Sequence, residues 1–464
     1  MDIFALSGDK KRVLILGGGF GGIEIARRLD TRKYEVLLID KHNYFTFQPL
    51  LYQVATGGLE PDSVAYPLRK ILSKNNKVLF RLAEVQKIDA ANSKVITTIG
   101  ELPYDKLVLA TGATTNFFNM TETEKNALSL KSVTDALNIR SFVLQKFEAA
   151  LLVNSIEEQK RMMNFVIVGG GPTGVEISGA LAELKRHVLP CDYPELDIKM
   201  MNISILESGE NVLDAMSDYA KRKAKKQLEE MGVNLLMKKQ LKSFNGHEAV
   251  LADGTVIETS SLIWTAGVKG NFPEGFDATV VARGNRLIVD DTNHLVSNEN
   301  IFAIGDVASM QSGAHPMVAP VAIQQAKNLA KNLNSQKPKG EWKKFVYVDK
   351  GSMATIGRSR AVADIKFIHM KGFFAWLAWL FIHLMLLVGF RNRVIVLFNW
   401  IWNYFSYDRA IRLIIRPYEK GKVKKKGSVT HLSPSLFIYR CDFNFHPPVI
   451  IVAQSGRKVT FHAF

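Results

Sequence analysis

The chain has 464 residues, 47% hydrophobic and 22% charged, which excludes a disordered protein and leaves room for about three domains. Its formal net charge of +16 predicts an anionic partner, namely nucleic acid, a membrane surface or an anionic ligand. Two cysteines, Cys191 and Cys441, cannot form a disulfide framework, a CxxC redox pair or a cysteine-based zinc site. We therefore predict a reducing compartment and no metal site.

The first predicted elements are a strand, a glycine turn and a helix. The apolar residues 13–16 lead into a GxGxxG motif formed by Gly17, Gly19 and Gly22. Such a turn lets the backbone approach a pyrophosphate at a helix N-terminus. The next predicted strand ends on Asp40, an acid placed to accept hydrogen bonds from ribose hydroxyls. The alternative is a purely structural glycine turn.

The same order of elements returns near residue 164, so the chain is duplicated. Gly169, Gly171 and Gly174 form the second motif, and Glu207 ends the following strand. Glu207, with Glu210 nearby and no Arg or Lys adjacent in sequence, would repel a 2′-phosphate, which favours NADH over NADPH. The alternative is a solvated acid at a strand end. Two such units predict an α/β fold with two Rossmann-type domains.

The C-terminal part differs in composition from everything before it. Residues 372–390 contain His383 as their one strongly polar side chain; residues 391–393 interrupt, and residues 394–405 are again apolar. Residues 366–426 hold twelve Lys or Arg against two acids, which gives +10 of the total +16. Most of the charge therefore belongs to one segment.

This segment predicts an amphipathic helical membrane anchor. The N-terminus lacks the features of a signal peptide, so we expect a cytoplasmic protein, and a single span would carry the basic segment outward. A pair of helices lying in the membrane interface is favoured, with lysines and arginines on anionic lipid. The alternatives are a buried core or dimer-interface helix and, less favoured, nucleic-acid binding. Four tryptophans are expected at headgroup depth: Trp376, Trp379, Trp400 and Trp402.

Several further motifs resemble a known family. Residues 106–112, 265–268 and 301–306 are similar to the strand ends of two-dinucleotide flavoproteins. Residues 47–57 and 350–357 are more specific. With the apolar C-terminal segment, they resemble the type II, non-proton-pumping NADH:quinone oxidoreductases, from about Lys11 to Arg416.

The resemblance implies which residues hold the cofactors. FAD would be held by the first glycines with Asp40, Ala110, Thr111, Gly112 and Asp306. NADH would be held by Gly169, Gly171, Gly174, Glu207 and Gly267. Disulfide reductases of this fold and sulfide:quinone oxidoreductases need cysteines near the flavin. This chain lacks cysteines there, so it fits neither class.

The resemblance also implies a quinone site. Glu176 matches a family acid that could move a proton if burial raises its pKa; the alternative is an ordinary acid in the first turn of a helix. Many members have Ala-Gln-x-Ala-x-Gln, whereas this chain has Pro320 in place of the first glutamine. Quinone contacts would then depend on Gln324 and Gln325.

The resulting prediction is a peripheral enzyme at the cytoplasmic face of the cell membrane, passing electrons from NADH through FAD to a membrane quinone. Residues 1–115 and 280–345 form the FAD domain, 116–279 the NADH domain, 346–418 the anchor and 419–464 an irregular tail. No nucleic acid is expected as a partner, and a homodimer is compatible with the sequence. Two alternative functions are an NAD(P)H-dependent reductase of a soluble iron–sulfur electron carrier and a non-enzymatic signalling flavoprotein whose basic tail binds nucleic acid.

Overall fold

The structure is a computed structural model that describes residues 3–6, 8–73, 77–406, 412–414 and 418. The predicted tail at 419–464, with Cys441, lies outside these residues, as do seven of the twelve Lys and Arg residues of the segment 366–426.

Among the described residues before 110, the first unit contains nine strands and four α-helices. The strands are β1 (Lys11–Leu16), β2 (Tyr34–Asp40), β3 (Tyr44–Thr46), β4 (Ala65–Pro67), β5 (Val78–Leu82), β6 (Val85–Asp89), β7 (Lys94–Thr97), β8 (Gly100–Pro103) and β9 (Lys106–Leu109). The helices are α1 (Phe20–Arg28), α2 (Leu51–Ala55), α3 (Pro61–Val64) and α4 (Leu68–Leu72).

The second unit follows the same plan. Its strands are β10 (Ala113–Thr115), β11 (Leu128–Ser129), β12 (Asn164–Val168), β13 (Asn202–Glu207), β14 (Asn234–Met237), β15 (Leu241–Phe244), β16 (Glu248–Leu251), β17 (Val256–Glu258), β18 (Ser261–Trp264) and β19 (Val268–Gly270). Its helices are α5 (Thr121–Asn126), α6 (Val133–Ala150), α7 (Ile156–Met162), α8 (Pro172–His187), α9 (Leu189–Asp192) and α10 (Asp218–Glu230).

The remaining elements return to the first unit and then form the C-terminal part. They are β20 (Val281–Ala282), β21 (Arg286–Val289), β22 (His294–Leu295), β23 (Asn298–Ala303), β24 (Ala308–Met310), α11 (Ala319–Ser335), β25 (Ser352–Gly357), β26 (Arg360–Ile365), β27 (Ile368–Lys371), α12 (Gly372–Leu386) and α13 (Phe390–Ser406).

Two sheets form the centre of the molecule. The second is parallel, whereas the first is parallel from β23 to β5 and antiparallel from β20 to β23. The first has the order β20-β21-β22-β23-β9-β1-β2-β5, with β24 paired to β21, and the second has the order β11-β18-β12-β13-β14. The central strands β1 and β12 are apolar and almost wholly buried, as strands covered by helices on both faces must be. The predicted α/β fold with two Rossmann-type units is confirmed.

The first sheet combines strands that are far apart in sequence. Strand β23 pairs in parallel with β9, so residues after 280 complete the sheet that the first hundred residues begin. The antiparallel pair of β10 and β19 joins the segments where the chain leaves the first unit and returns to it. The predicted domain boundaries agree with this pairing in outline and stay a prediction.

The C-terminal part consists of a three-stranded meander, β25 to β27, and the helices α12 and α13. Helix α12 ends at Leu386, and α13 already begins at Phe390, so it contains residues 391–393. These residues, which interrupt the apolar composition, therefore lie inside a helix, and the break between the two helices is the turn before them, where Gly389 has a φ of 90°. Among the described residues, no helix combines the length and the apolar character needed to cross a bilayer.

Both C-terminal helices have an inner face that joins the main core. Trp379 and Val396 are 1% and 0% exposed and pack in the same hydrophobic cluster as the first two strands. The prediction of headgroup depth is wrong for Trp379, because its helix turns it toward the protein. Trp376 and Trp400 are partly buried, whereas Trp402 is 66% exposed.

Candidate functional site

The first glycine turn has the close packing that a pyrophosphate cradle needs. The Gly17 amide donates to the Ile39 carbonyl at 2.8 Å, which fixes the turn between β1 and β2. A Cβ on Gly22 would lie 1.8 Å from the Gly17 oxygen, so only glycine allows this approach. The Asp40 carboxylate accepts from the Gly18 amide at 2.5 Å and therefore lies beside the turn.

The surroundings of this turn fit FAD. A Cβ at Gly19 or at Gly112 would meet nothing within 4 Å, so open space lies above the turn. The hydroxyl of Thr111 is buried and has no hydrogen-bond partner among the described residues, which leaves a polar atom for a bound group. Asp306 lies at the same strand ends, and burial raises its pKa.

Two cations near Asp306 were not identified from the sequence. The charges of Lys131 and Arg286 both act to lower the pKa of Asp306, against the larger effect of burial. The pKa of Lys131 is itself lowered by burial. No motif marks either residue, because each comes from a different segment and only the fold brings them to Asp306.

The second glycine turn repeats the first almost atom for atom. The Gly169 amide donates to the Leu206 carbonyl at 2.8 Å, and a Cβ on Gly174 would lie 1.9 Å from the Gly169 oxygen. The Glu207 carboxylate accepts from the amides of Gly170 at 2.6 Å and Gly209 at 2.7 Å. Open space lies at Gly171, where a Cβ would meet nothing within 4 Å.

Gly267 is placed at the end of β18 with a φ of 71°, a conformation that favours glycine. A Cβ there would lie 2.6 Å from the edge of the Phe118 ring, and Phe118 is 57% exposed. The predicted NADH residues therefore all come to the same strand ends, with an exposed aromatic ring beside them.

Two lysines that are distant from Glu207 in sequence lie close to it in the fold. Lys238 and Lys239 follow β14, and the Lys239 amide donates to the Glu207 carbonyl at 2.9 Å. No lysine is adjacent to Glu207 in sequence, but lysines are adjacent to it in space, which was not expected in the argument for NADH. Both side chains are paired with acids, Lys238 with Glu210 at 2.6 Å and Lys239 with Asp253.

Glu176 lies in the interior of the protein. It belongs to α8 but comes after its first turn, which contains no acidic residue, so the alternative of an ordinary first-turn acid is wrong. Its side chain is buried, and burial raises its pKa well above the ordinary 4.5, although the Thr355 amide donates a hydrogen bond to it. Burial therefore favours the protonated form of this carboxyl over the charged one.

A cavity opens beside Glu176, where five elements meet. One wall is α8, with Glu176, Glu183 and His187, and the end of β25 supplies the backbone of 355–357. The other walls come from α2, α12 and α13 and are largely aromatic. These aromatic residues are Tyr52, Trp376, Trp379, Trp400 and Tyr404.

The cavity is assembled from the motifs that carried the family resemblance. Tyr52, Gln53 and Thr56 lie within the motif at 47–57, and Thr355, Ile356 and Gly357 within the motif at 350–357. Glu176 was named from the resemblance, and the remaining wall residues had no motif, although the spacing of 183 and 187 from 176 on one helix face was a readable signal.

Gln324 and Gln325 lie elsewhere. The Gln325 side chain is 1% exposed and accepts from the Gly305 amide at 2.6 Å, so it holds the turn before Asp306. Gln324 exchanges two hydrogen bonds with the Val348 backbone, at 2.9 and 3.0 Å. Neither residue lines this cavity, and both have a structural contact that the sequence did not indicate.

Helix α13 is fastened to the first unit by polar groups on its inner face. Asn392 donates to the Asp62 carbonyl at 2.9 Å, and the Trp400 indole donates to the Gln53 side chain at 2.8 Å. Asn403 donates to a carbonyl in the loop after α2 at 3.0 Å. The polar residues of this apolar segment thus serve contacts with the protein and complete the cavity wall.

Comparison with known proteins agrees with this architecture. Residues 11–326 match the family model of the pyridine nucleotide-disulphide oxidoreductases, and residues 350–407 match the NDH2 C-terminal domain. The type II NADH:quinone oxidoreductase NdhA of Mycobacterium tuberculosis is 36% identical over 411 residues, which cover 85% of this chain and 87% of that protein. The chain belongs to the type II NADH:quinone oxidoreductase family.

A second relative supports the family assignment, and a solved structure shares the fold. The external NADH-ubiquinone oxidoreductase 2 of Saccharomyces cerevisiae mitochondria is 31% identical over 455 residues, covering 87% of this chain and 82% of that protein. The structure of NDH2 from Plasmodium falciparum in complex with NADH superposes with a TM-score of 0.80 at 24% identity, covering 88% of this chain and all of that one. The family's C-terminal domain is thus the part that builds the cavity wall from β25 to α13.

Proposed function

We propose that this chain oxidises NADH at the second glycine turn and passes two electrons through FAD to a quinone that enters the cavity beside Glu176. The observation that carries the proposal is the cavity itself, where an aromatic wall faces a buried carboxyl whose pKa is raised by burial. Aromatic side chains suit a flat quinone ring, and reduction of a quinone consumes protons as well as electrons.

Different residues of the protein bind the cofactor, orient NADH and supply the proton. The first glycines, Asp40, Thr111 and Asp306 would hold FAD. FAD, when bound, supplies the hydride acceptor and the electron transfer. Gly171, Glu207 and Gly267 bind and orient NADH. Glu176 holds a proton at its carboxyl, shielded from water, and donates it when the quinone is reduced.

The test separates quinone reduction from NADH oxidation. Glu176→Gln keeps the shape of the side chain but cannot release a proton, so we expect turnover with a short-chain quinone to fall about 100-fold. Turnover with ferricyanide, which accepts electrons without protons, should change little. The control is Glu24→Gln, which alters the equivalent position of the first unit. Equal quinone turnover in wild type and Glu176→Gln would overturn the assignment.

The proposal also places the enzyme on the cytoplasmic face of a membrane. The outer faces of α12 and α13 expose large apolar side chains in a helical pattern, which is unusual for a surface in contact with water alone. These are Phe373, Phe374, Leu377, Phe381, Leu386, Phe390, Leu397, Phe398, Ile401, Trp402 and Phe405. The cavity lies on the opposite, inner faces of the same helices, so quinone would reach it from the bilayer.

Vesicle binding tests this surface. We expect Phe398→Glu with Trp402→Glu to weaken sedimentation with anionic vesicles at least about tenfold, because two apolar side chains no longer enter the lipid. Leu152→Glu is the control, since Leu152 is 85% exposed and lies between α6 and α7 of the second unit. Unchanged vesicle binding would contradict the assignment and favour a soluble electron acceptor. A homodimer and the choice of NADH over NADPH remain part of the proposal.

A further inference from the structure

We propose that Glu183 and His187 carry protons from solvent to Glu176 along one face of α8. The inference rests on the proposed function, because it supplies the proton that quinone reduction consumes there. The geometry points to it through one observation: these three titratable side chains of one helix line the same cavity.

The spacing places the three groups in a row. Residues 176, 180, 183 and 187 recur at intervals of four, three and four, which keeps them on one face of an α-helix. Ala180, also in the cavity wall, fills the position between the two glutamates with a small side chain. At about 1.5 Å per residue the row extends about 16 Å along the helix axis.

Exposure increases along the row. Glu176 is 9% exposed, Glu183 is partly buried and His187 is exposed at the end of the helix. A proton taken up by His187 therefore starts in solvent and ends at a carboxyl that water does not reach freely. Histidine suits the outer position because its ordinary pKa lies close to neutral pH. The intervals of about 5 to 10 Å need water in the cavity between the groups.

The groups that face the row hold Glu183 in place. The Arg358 amide donates to the Glu183 carboxylate, and the Arg358 guanidinium lies 4.1 Å from the centre of the Tyr404 ring. Tyr52 and Thr355 face the inner end. Among the charged groups of the cavity wall in the described residues, Arg358 is the fixed cation, and its backbone amide holds the Glu183 carboxylate.

The proton balance requires such a path. The reaction NADH + H⁺ + quinone → NAD⁺ + quinol takes one proton from the medium for each quinone reduced. NADH supplies the other hydrogen together with both electrons. Glu176 gives a proton to the quinone oxygen and must recover one before the next turnover, and Glu183 and His187 return it.

The test uses Glu183→Gln and His187→Asn in the full-length, flavin-loaded protein. The glutamine retains an oxygen that accepts from the Arg358 amide, and His187 is exposed, so folding should be kept. In weak buffer we expect quinone turnover to fall about tenfold in both variants, with ferricyanide turnover kept and reduction of the flavin by NADH unchanged. Glu195→Gln is the control, an exposed acid outside α8.

The deciding readout is chemical rescue. Added imidazole should restore most of the quinone turnover of His187→Asn, because a small proton carrier replaces the missing ring, whereas a structural defect would not respond. Full quinone turnover in both variants overturns the path, and so does a loss that imidazole does not restore. Failure of the proposed function is distinct: the wild type itself would then reduce no quinone.

Discussion

Glu24 and Glu176 occupy the same position of the two glycine motifs, two residues after the last glycine, and their surroundings are opposite. Glu24 lies near the surface, 2.5 Å from Arg28 and 3.7 Å from Lys327. Glu176 is buried and accepts a hydrogen bond from the Thr355 amide. The motif is repeated, but α11 packs on α1 whereas β25 packs on α8. The chemical role of the acid is thus set by what covers the helix.

The threonines at the strand ends differ in a similar way. Thr265, where the first unit has Ala110, donates its hydroxyl to the Val168 carbonyl at 2.8 Å. Thr111, where the second unit has Ala266, keeps its buried hydroxyl without a partner among the described residues. The second turn satisfies its own polar groups, and the first leaves one for a ligand. This difference fits a substrate that exchanges and a cofactor that stays.

The largest expected effect distinguishes the two turns directly. Gly22→Ala places a Cβ against the Gly17 oxygen, so we expect the purified protein to lose its flavin. Gly174→Ala makes the same clash in the second unit, so we expect a yellow protein that NADH reduces poorly. Flavin absorbance and NADH titration measure both. Gly340→Ala, with nothing within 4 Å, is the control. Loss of flavin in both variants would contradict the comparison.

A smaller effect sharpens the role of the second turn. Glu207→Gln removes the charge beside Gly170, and we expect the KM for NADH to rise about tenfold, the value of a hydrogen bond to a charged group. The ratio of NADH to NADPH turnover should fall, because the 2′-phosphate of NADPH is no longer repelled by a charge at this position. The control is Glu258→Gln, an exposed acid at the end of β17. An unchanged ratio of NADH to NADPH turnover would show that Glu207 does not select the cofactor.

The smallest effect concerns pH and stability. The pKa of Glu176 is raised in the folded protein, so its carboxyl contributes fully below its ordinary value of 4.5, and the contribution is lost as pH rises toward the folded pKa. The wild type should therefore lose about 1.4 kcal/mol per pH unit relative to Glu176→Gln over this interval. Denaturant unfolding at pH 5 and pH 8 measures it. A constant difference would contradict the raised pKa.

The parts that were predictable from the sequence are those built by neighbouring residues. The glycine turns and their strand-end acids, Asp40 and Glu207, lie within about 40 residues of each motif, and the hydrogen bonds at Gly18 and Gly170 follow from that local order. The helical pair at the C-terminus was predictable because apolar residues dominate it. The buried position of Trp379 was not, since an apolar helix shows no polar face from which to read its orientation.

The cavity was less predictable because its walls come from four separate parts of the chain. Glu176 could be named but not placed, as nothing near it in sequence reveals that β25 covers α8. The resemblance assigned Gln324 and Gln325 to the quinone, and their contacts with the Val348 and Gly305 backbones depend on distant segments. Long-range packing decides such roles, and a single sequence does not contain it in readable form.

The most direct measurement is one anaerobic cycle of the purified protein. We expect the purified protein to show visible flavin absorbance, to lose it on adding one equivalent of NADH, and to regain it on adding one equivalent of a short-chain quinone. A protein without flavin, or a reduced flavin that quinone does not reoxidise, would contradict this expectation.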